Sequence, residues 1–116
     1  NLLTWNKELW VIDNGASFYF HHNWATYKNH LTRTFPLIKD HVLLKWATQL
    51  NEAASAIKEA LTETKMAEII ALIPEEWLIG ASEKMSPDTM RMAYVEYMEA
   101  KLSMIDELVK EANDAR

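Results

Sequence analysis

The fold class predicted by the sequence is mainly α: a bundle of about four to six helices preceded by a short N-terminal β-hairpin. Three observations predict it. From Leu50 onward apolar residues recur at helical spacing; Thr62 and Ser86-Pro87 stand where helices should start; and before them two short apolar runs flank Asn6-Lys7. At 116 residues the chain has room for one module, 1–116, divided into a hairpin and acidic turn over 1–20 and a helical part over 21–116.

Leu2 to Trp5 and Glu8 to Ile12 read as strands over a two-residue turn, which suits Asn6 and suits Lys7 less. Leu9 and Val11 fall on one face and Trp10 and Ile12 on the other, so cover is expected on both. Asp13 ends this apolar run two residues before Gly15, one of the chain's 2 glycines. A carboxylate there is held stiffly enough to meet a cation or a phosphate-bound metal. Asn14-Gly15 is expected to turn the chain, because glycine accepts positive φ and asparagine tolerates it. Taken alone, Asp-Asn-Gly is more often an ordinary turn after a strand.

Phe18, Tyr19, Phe20, Trp24 and Tyr27 follow closely and predict aromatic packing against the helices. His21 and His22 invite a zinc reading, yet adjacent side chains diverge on strand and helix alike, which favours capping or supporting roles. Lys28 to Thr34 is polar and predicts a loop or frayed helix. Phe35-Pro36 opens a new element, since proline suits a first helical turn. Inside it Asp40-His41 resembles a general-base dyad, but neighbours on a helix point apart, so a structural pair is expected.

Leu50, Ala54, Ile57 and Leu61 form one helical stripe, with Thr62 the N-cap of the next helix. That helix carries Met66, Ile69, Ile70 and Ile73, and Pro74 closes it. Glu75 and Glu76 begin a short turn, where the helix dipole favours acids; being adjacent, they do not face each other as catalytic carboxylates would. After a break over Gly80 to Met85, Ser86 as N-cap and Pro87 at the first position open the longest helix, running to about Ala112. Its buried stripe is Met90, Tyr94, Met98, Leu102, Ile105 and Leu108 or Val109, with Lys101, Glu107 and Lys110 outside.

Composition excludes several classes. A 49% hydrophobic content with 5 Trp rules out disorder, and a net charge of −5 with no basic cluster argues against nucleic-acid binding. With 0 Cys there are no disulfides and no thiolate metal sites, which suits a cytoplasmic location. No apolar run approaches the roughly 20 residues that cross a bilayer, so no membrane partner is expected. The chain begins at Asn1 without methionine, so its natural N-terminus is expected to lie upstream.

The stretch Leu-Trp-Val-Ile-Asp-Asn-Gly-Ala-Ser-Phe-Tyr-Phe-His-His, from Leu9 to His22, resembles the corresponding stretch of a bacterial family of HipA-like kinases. The likeness continues over Phe35 to Leu44, over Leu72 to Leu78 and near Ala93-Tyr94-Val95. It implies the C-terminal lobe of a kinase domain, with Asp13 the metal-binding acid of an Asp-x-Gly motif, Gly15 its glycine, and Asn1 the metal-binding asparagine at the end of the catalytic loop. Asn1 equally reads as a strand-leading residue. Magnesium and ATP are then expected for a longer parent only. The chain holds no Gly-rich loop, no phosphate-binding strand lysine and no catalytic-loop Asp, and no catalytic residue is assigned within it. Its expected partner is a missing N-terminal nucleotide lobe, or a second copy through a Trp-rich apolar face. The alternative is a non-catalytic helical interaction module or pseudokinase remnant.

Overall fold

In the computed structural model, which describes residues 2–116, β1 (Leu2–Trp5) and β2 (Glu8–Val11) pair antiparallel, Leu2 opposite Val11 and Trp5 opposite Glu8. Both turn residues are left-handed, Asn6 at φ 51° and Lys7 at φ 66°, the geometry that lets a two-residue loop follow the strands' own twist. The expected cover on both faces is not there. Every residue of the two strands is exposed, Val11 at 68%, because among the described residues the ribbon has no third strand and no helix lies on either face closely enough to bury it. Trp5 and Trp10 meet edge to face instead, 5.9 Å apart at 65°.

Between the hairpin and residue 50 the chain advances in short 3₁₀ segments: Asn14–Ala16, Tyr19–His22, Trp24–His30, Pro36–Asp40 and Leu44–Trp46. Each is closed by i→i+3 bonds such as His21 N–H to Phe18 O at 3.0 Å and His41 N–H to Ile38 O at 3.0 Å. None has a side-chain cap; three of them bury a side chain, Phe20, Trp24 and Leu44, while the Pro36–Asp40 segment buries none and lies against the last helix of the chain, Ile105–Ala115. Lys28 to Thr34, expected as loop or frayed helix, begins inside the Trp24–His30 segment. Pro36 does open its element, at the first position.

Five α-helices follow: α1 (Leu50–Ala60), α2 (Glu63–Ala71), the single turn α3 (Glu75–Leu78), α4 (Pro87–Ser103) and α5 (Ile105–Ala115). Their starts follow local chemistry. Thr62 Oγ1 accepts from Lys65 N–H at 3.2 Å, and Ser86 Oγ accepts from Thr89 N–H at 3.2 Å, each satisfying a donor that its helix leaves orphaned. Pro74 stands at the N-cap of α3, beyond the end of α2 at Ala71.

The single long helix expected from Ser86 to about Ala112 is two helices. Met104 interrupts it at φ −93°, ψ 2°, and the Ser103 hydroxyl donates to Ala100 O at 2.7 Å, competing with the backbone ladder in the last turn. Across this break the apolar stripe changes neighbours: α4 packs on α2 and α3, whereas α5 packs on α1 and on the Pro36–Asp40 segment. An exposed Lys58–Asp106 pair at 2.7 Å ties α1 to α5 and contributes at most about 1 kcal/mol.

The core lies between the aromatic segment and α4. Phe20, Trp24, Ile70, Leu78, Met90, Ala93 and Tyr94 form one buried cluster, with Phe18, Tyr27 and Tyr97 packed at its edge. Phe20 touches Trp24, Tyr94 and Tyr97 at centroid separations of 5.5, 5.4 and 4.9 Å. Tyr19, by contrast, points out and is exposed. The radius of gyration is 15.8 Å, against about 13 Å for a compact chain of this length, in keeping with a ribbon that nothing covers.

Two stability outcomes follow from this packing. Met90 has 0% exposure, so Met90→Ala should cost about 3 kcal/mol in urea unfolding, through lost burial plus a cavity. Lys7→Gly should stabilise the hairpin by about 1 kcal/mol, since glycine relieves a left-handed residue bearing a side chain. Amide exchange of the strand residues reads that change directly, because the hairpin is not part of the core.

Candidate functional site

Asp13 sits at the exit of β2 with φ 52° and ψ 65°, a left-handed backbone. The chain then enters the Asn14–Ala16 turn, where Ser17 N–H donates to Asn14 O at 2.9 Å. This relocates the conformational demand that was expected at Asn14-Gly15. Gly15 does not have positive φ, and a Cβ placed on it would lie 3.7 Å from Asp13 Oδ1, an ordinary contact. The acid itself turns the chain, as aspartate can, because its short polar side chain tolerates this region better than most. Its carboxylate is on the exposed side of the chain, within reach of solvent and of solutes. Asn1, the second metal-binding residue implied by the resemblance, lies outside the described residues.

His21 and His22 have their rings 4.3 Å apart at 73°, His21 half-buried and His22 exposed. Burial, then the charge of His22, pushes the His21 imidazole below its usual pKa. Among the described residues no three His, Asp or Glu side chains gather into a metal-binding group, so the pair has no third ligand for zinc. His21 instead borders an apolar cleft of about 360 Å³ between the aromatic segment and α3, shared with Trp24, Trp77 and Tyr94. Trp24 Nε1 is buried in this region without a hydrogen-bond acceptor among the described residues, which costs about 1–3 kcal/mol.

The other sequence candidates resolve into structural roles. His41 Nδ1 accepts from Leu43 N–H at 3.3 Å, a local turn contact rather than one leg of a dyad with the exposed Asp40. Glu75 and Glu76 occupy the exposed first turn of α3. The exposed tryptophans do not stack as one group: Trp5 pairs with Trp10, Trp46 lies under Lys45 Nζ at 4.0 Å, and Trp77 edges the cleft beside His21.

One feature went unseen in the sequence. A cleft of about 960 Å³ opens where the Arg33–Leu37 stretch crosses the junction of α4 and α5, lined by Tyr19, His30, Arg33, Phe35, Tyr97 and Lys101 among others. Lys101, expected on the outer face of its helix, reaches across to donate to Arg33 O at 2.5 Å, with its ammonium 5.2 Å from the Tyr97 ring. Burial, then the charge of Arg33, lowers its pKa from the usual lysine range. No local pattern could have signalled this pair, since 68 residues separate its members.

Compared with models of known protein families, with characterised proteins and with solved structures, the chain finds no match. Among the described residues no helix is long and apolar enough to cross a membrane.

The His21 environment gives a pH dependence with a definite sign. A folded-state pKa below the unfolded 6.5 means that the unfolded chain binds more protons as pH falls through that value. Stability contributed by neutral His21 is therefore present above pH 6.5 and lost on acidification toward the folded pKa. Thermal melts between pH 7.5 and 5.5 should show a falling midpoint whose slope is reduced in His21→Gln; an unchanged slope would assign the fall to other groups.

Proposed function

We propose that the chain is the C-terminal part of a HipA-like kinase domain, in which Asp13 is the carboxylate that holds magnesium against nucleotide phosphates. The observation that carries this reading is the left-handed backbone at Asp13, where an apolar strand ends and the aromatic anchor has not yet begun. Residues held in sparsely populated backbone regions cluster at functional sites, and this one bears the side chain such a site needs. The order hairpin, Asp-x-Gly, aromatic segment and helices also agrees with the resemblance of Leu9 to His22.

The chemistry of the donors fits as half of a site. Magnesium keeps several waters and is commonly held by one or two carboxylates together with substrate phosphates, so one exposed acid on a stiff turn is a sufficient protein contribution from this side. Bound there, the ion would neutralise phosphate charge during phosphoryl transfer from ATP to a hydroxyl acceptor. Asp13 fixes the position of that charge, and the Asn14–Ala16 turn fixes Asp13. A nucleotide lobe must supply the phosphate loop, the lysine and the acceptor-orienting acid, and a chain free of cysteine suits a cytoplasmic enzyme of this kind.

The exposed hairpin favours a second reading, a non-catalytic interaction module or pseudokinase remnant. Leu3, Trp5, Leu9 and Val11 are all open to solvent on a ribbon too short to be stable by itself. In the kinase reading the nucleotide lobe would cover that ribbon; in the other, a second copy of the chain or another protein would.

Nucleotide chemistry separates the two. The chain together with its nucleotide lobe should bind and turn over ATP in a magnesium-dependent way, and Asp13→Ala should lower turnover by at least about 100-fold. Asp13→Asn, which tolerates the same backbone, controls for folding. Magnesium-dependent turnover left at the parent level in Asp13→Ala would overturn the assignment.

A further inference from the structure

We infer that the cleft at the α4–α5 junction binds a small organic anion with a flat apolar body, Arg33 and Lys101 receiving the anionic head and Tyr97, Phe35 and Leu108 the body. The inference does not depend on the kinase reading, and neither Asp13 nor Gly15 lines the cleft.

Size and lining come first. At about 960 Å³ the space is at the upper end of the range, roughly 300–1,000 Å³, that small-molecule sites occupy. Its walls are largely aromatic and aliphatic, with Ser17 and Thr34 also among the lining. Such a surface takes a planar hydrocarbon better than a hydrated ion.

Charge then decides the sign of the ligand. The chain as a whole carries −5, yet Arg33 and Lys101 line this cleft together with His30, and no Asp or Glu does. Glu111, on the α5 side, spends a carboxylate oxygen on the Phe35 N–H at 3.2 Å and is not part of the lining. Both cations line the cleft, the charge of Arg33 acts on Lys101, and an anion received by the two would relieve that repulsion. Each has donors to give. The Arg33 guanidinium makes no hydrogen bond or ion pair among the described residues, and Lys101 uses one of its N–H groups on Arg33 O. That bond sets the Lys101 ammonium beside the Arg33 backbone before a ligand arrives.

Carboxylate and phosphate heads share this chemistry, and the test separates them. The full chain, isotopically labelled, would be titrated with 2-naphthoate, with 2-naphthyl phosphate and with the neutral 2-naphthalenemethanol, following amide shifts by NMR. At least one of the two anions should bind at least about tenfold more tightly than the alcohol, with the largest shifts at Thr34, Tyr97 and Leu108. Whichever anion binds more tightly identifies the head group. Arg33→Gln, an exposed position whose side chain holds nothing in the fold, should weaken anion binding by about tenfold and leave the melting midpoint in place. Lys101→Gln should do the same to binding, with some loss of stability from the lost bond to Arg33 O. The inference is overturned if the alcohol binds as tightly as both anions, if the anion shifts are confined to the hairpin, or if both substitutions leave anion affinity unchanged. No nucleotide enters the experiment, so failure here and failure of the kinase reading are distinguishable.

Discussion

The burial of Phe20 is the constraint on which the rest of the structure depends. Among the described residues, the regular structure before residue 50 consists of a two-stranded ribbon and 3₁₀ segments, none of which is stable on its own hydrogen bonds. Phe20 is 1% exposed, and it brings its segment against α4 through Tyr94 and Tyr97 while Trp24 closes over it from the next segment. Each such ring contact adds about 0.5–1.5 kcal/mol to the burial of the rings themselves, which lets one side chain anchor a long stretch of irregular chain. Burial also raises the pKa of Tyr94 and Tyr97, so these phenols stay neutral and compatible with an apolar core.

The break at Met104 solves a second problem with the same economy. A straight helix from Ser86 would present its stripe to one neighbour along its whole length. By stopping at Ser103 and restarting at Ile105, the chain gives Met90, Ala93 and Tyr94 to α2 and the aromatic anchor, and Ile105 and Ala112 to the far side, where α1 lies. The change of direction is also what opens the large cleft, since Tyr97 and Lys101 line it from before the break and Leu108 from after. A feature that looks like an imperfection in a helix therefore contributes to a cleft that Arg33 and Lys101, far apart in sequence, both line.

How much of this was legible in the sequence divides along physical lines. Thr62, Ser86 and Pro87 announced helix starts correctly because a cap acts within a few residues of itself. The Asn6-Lys7 turn was legible for the same reason. The break at Met104 was not, because the apolar stripe runs through it with helical spacing, and only the choice of neighbours on either side distinguishes one helix from two. Asp13 was singled out by its place after an apolar run, but the left-handed conformation was assigned to the wrong residue. Glycine is the usual occupant of such positions, and here the acid occupies one itself. Cover on β2 was inferred from alternating apolar residues, a pattern that states what a strand prefers and not whether a partner is there. The cleft had no sequence signal, since Arg33 and Lys101 are 68 residues apart and meet only through tertiary packing.

The exposed hairpin and the strained acid belong to one problem. Asp13 is held on its C-terminal side by a turn leading into a buried aromatic core, and on its N-terminal side by a ribbon that is marginal in water. Fraying of the ribbon would loosen the N-terminal approach to that left-handed backbone. Covering the apolar faces of Leu3, Trp5, Leu9 and Val11 would stabilise the ribbon and so fix the second side. Any protein surface that docks there is thereby coupled to the position of Asp13: the apolar area it buries is also free energy that holds the carboxylate in place. Under the proposed kinase reading, docking of a nucleotide lobe on the ribbon would also order the approach to Asp13, the acid that reading assigns to magnesium.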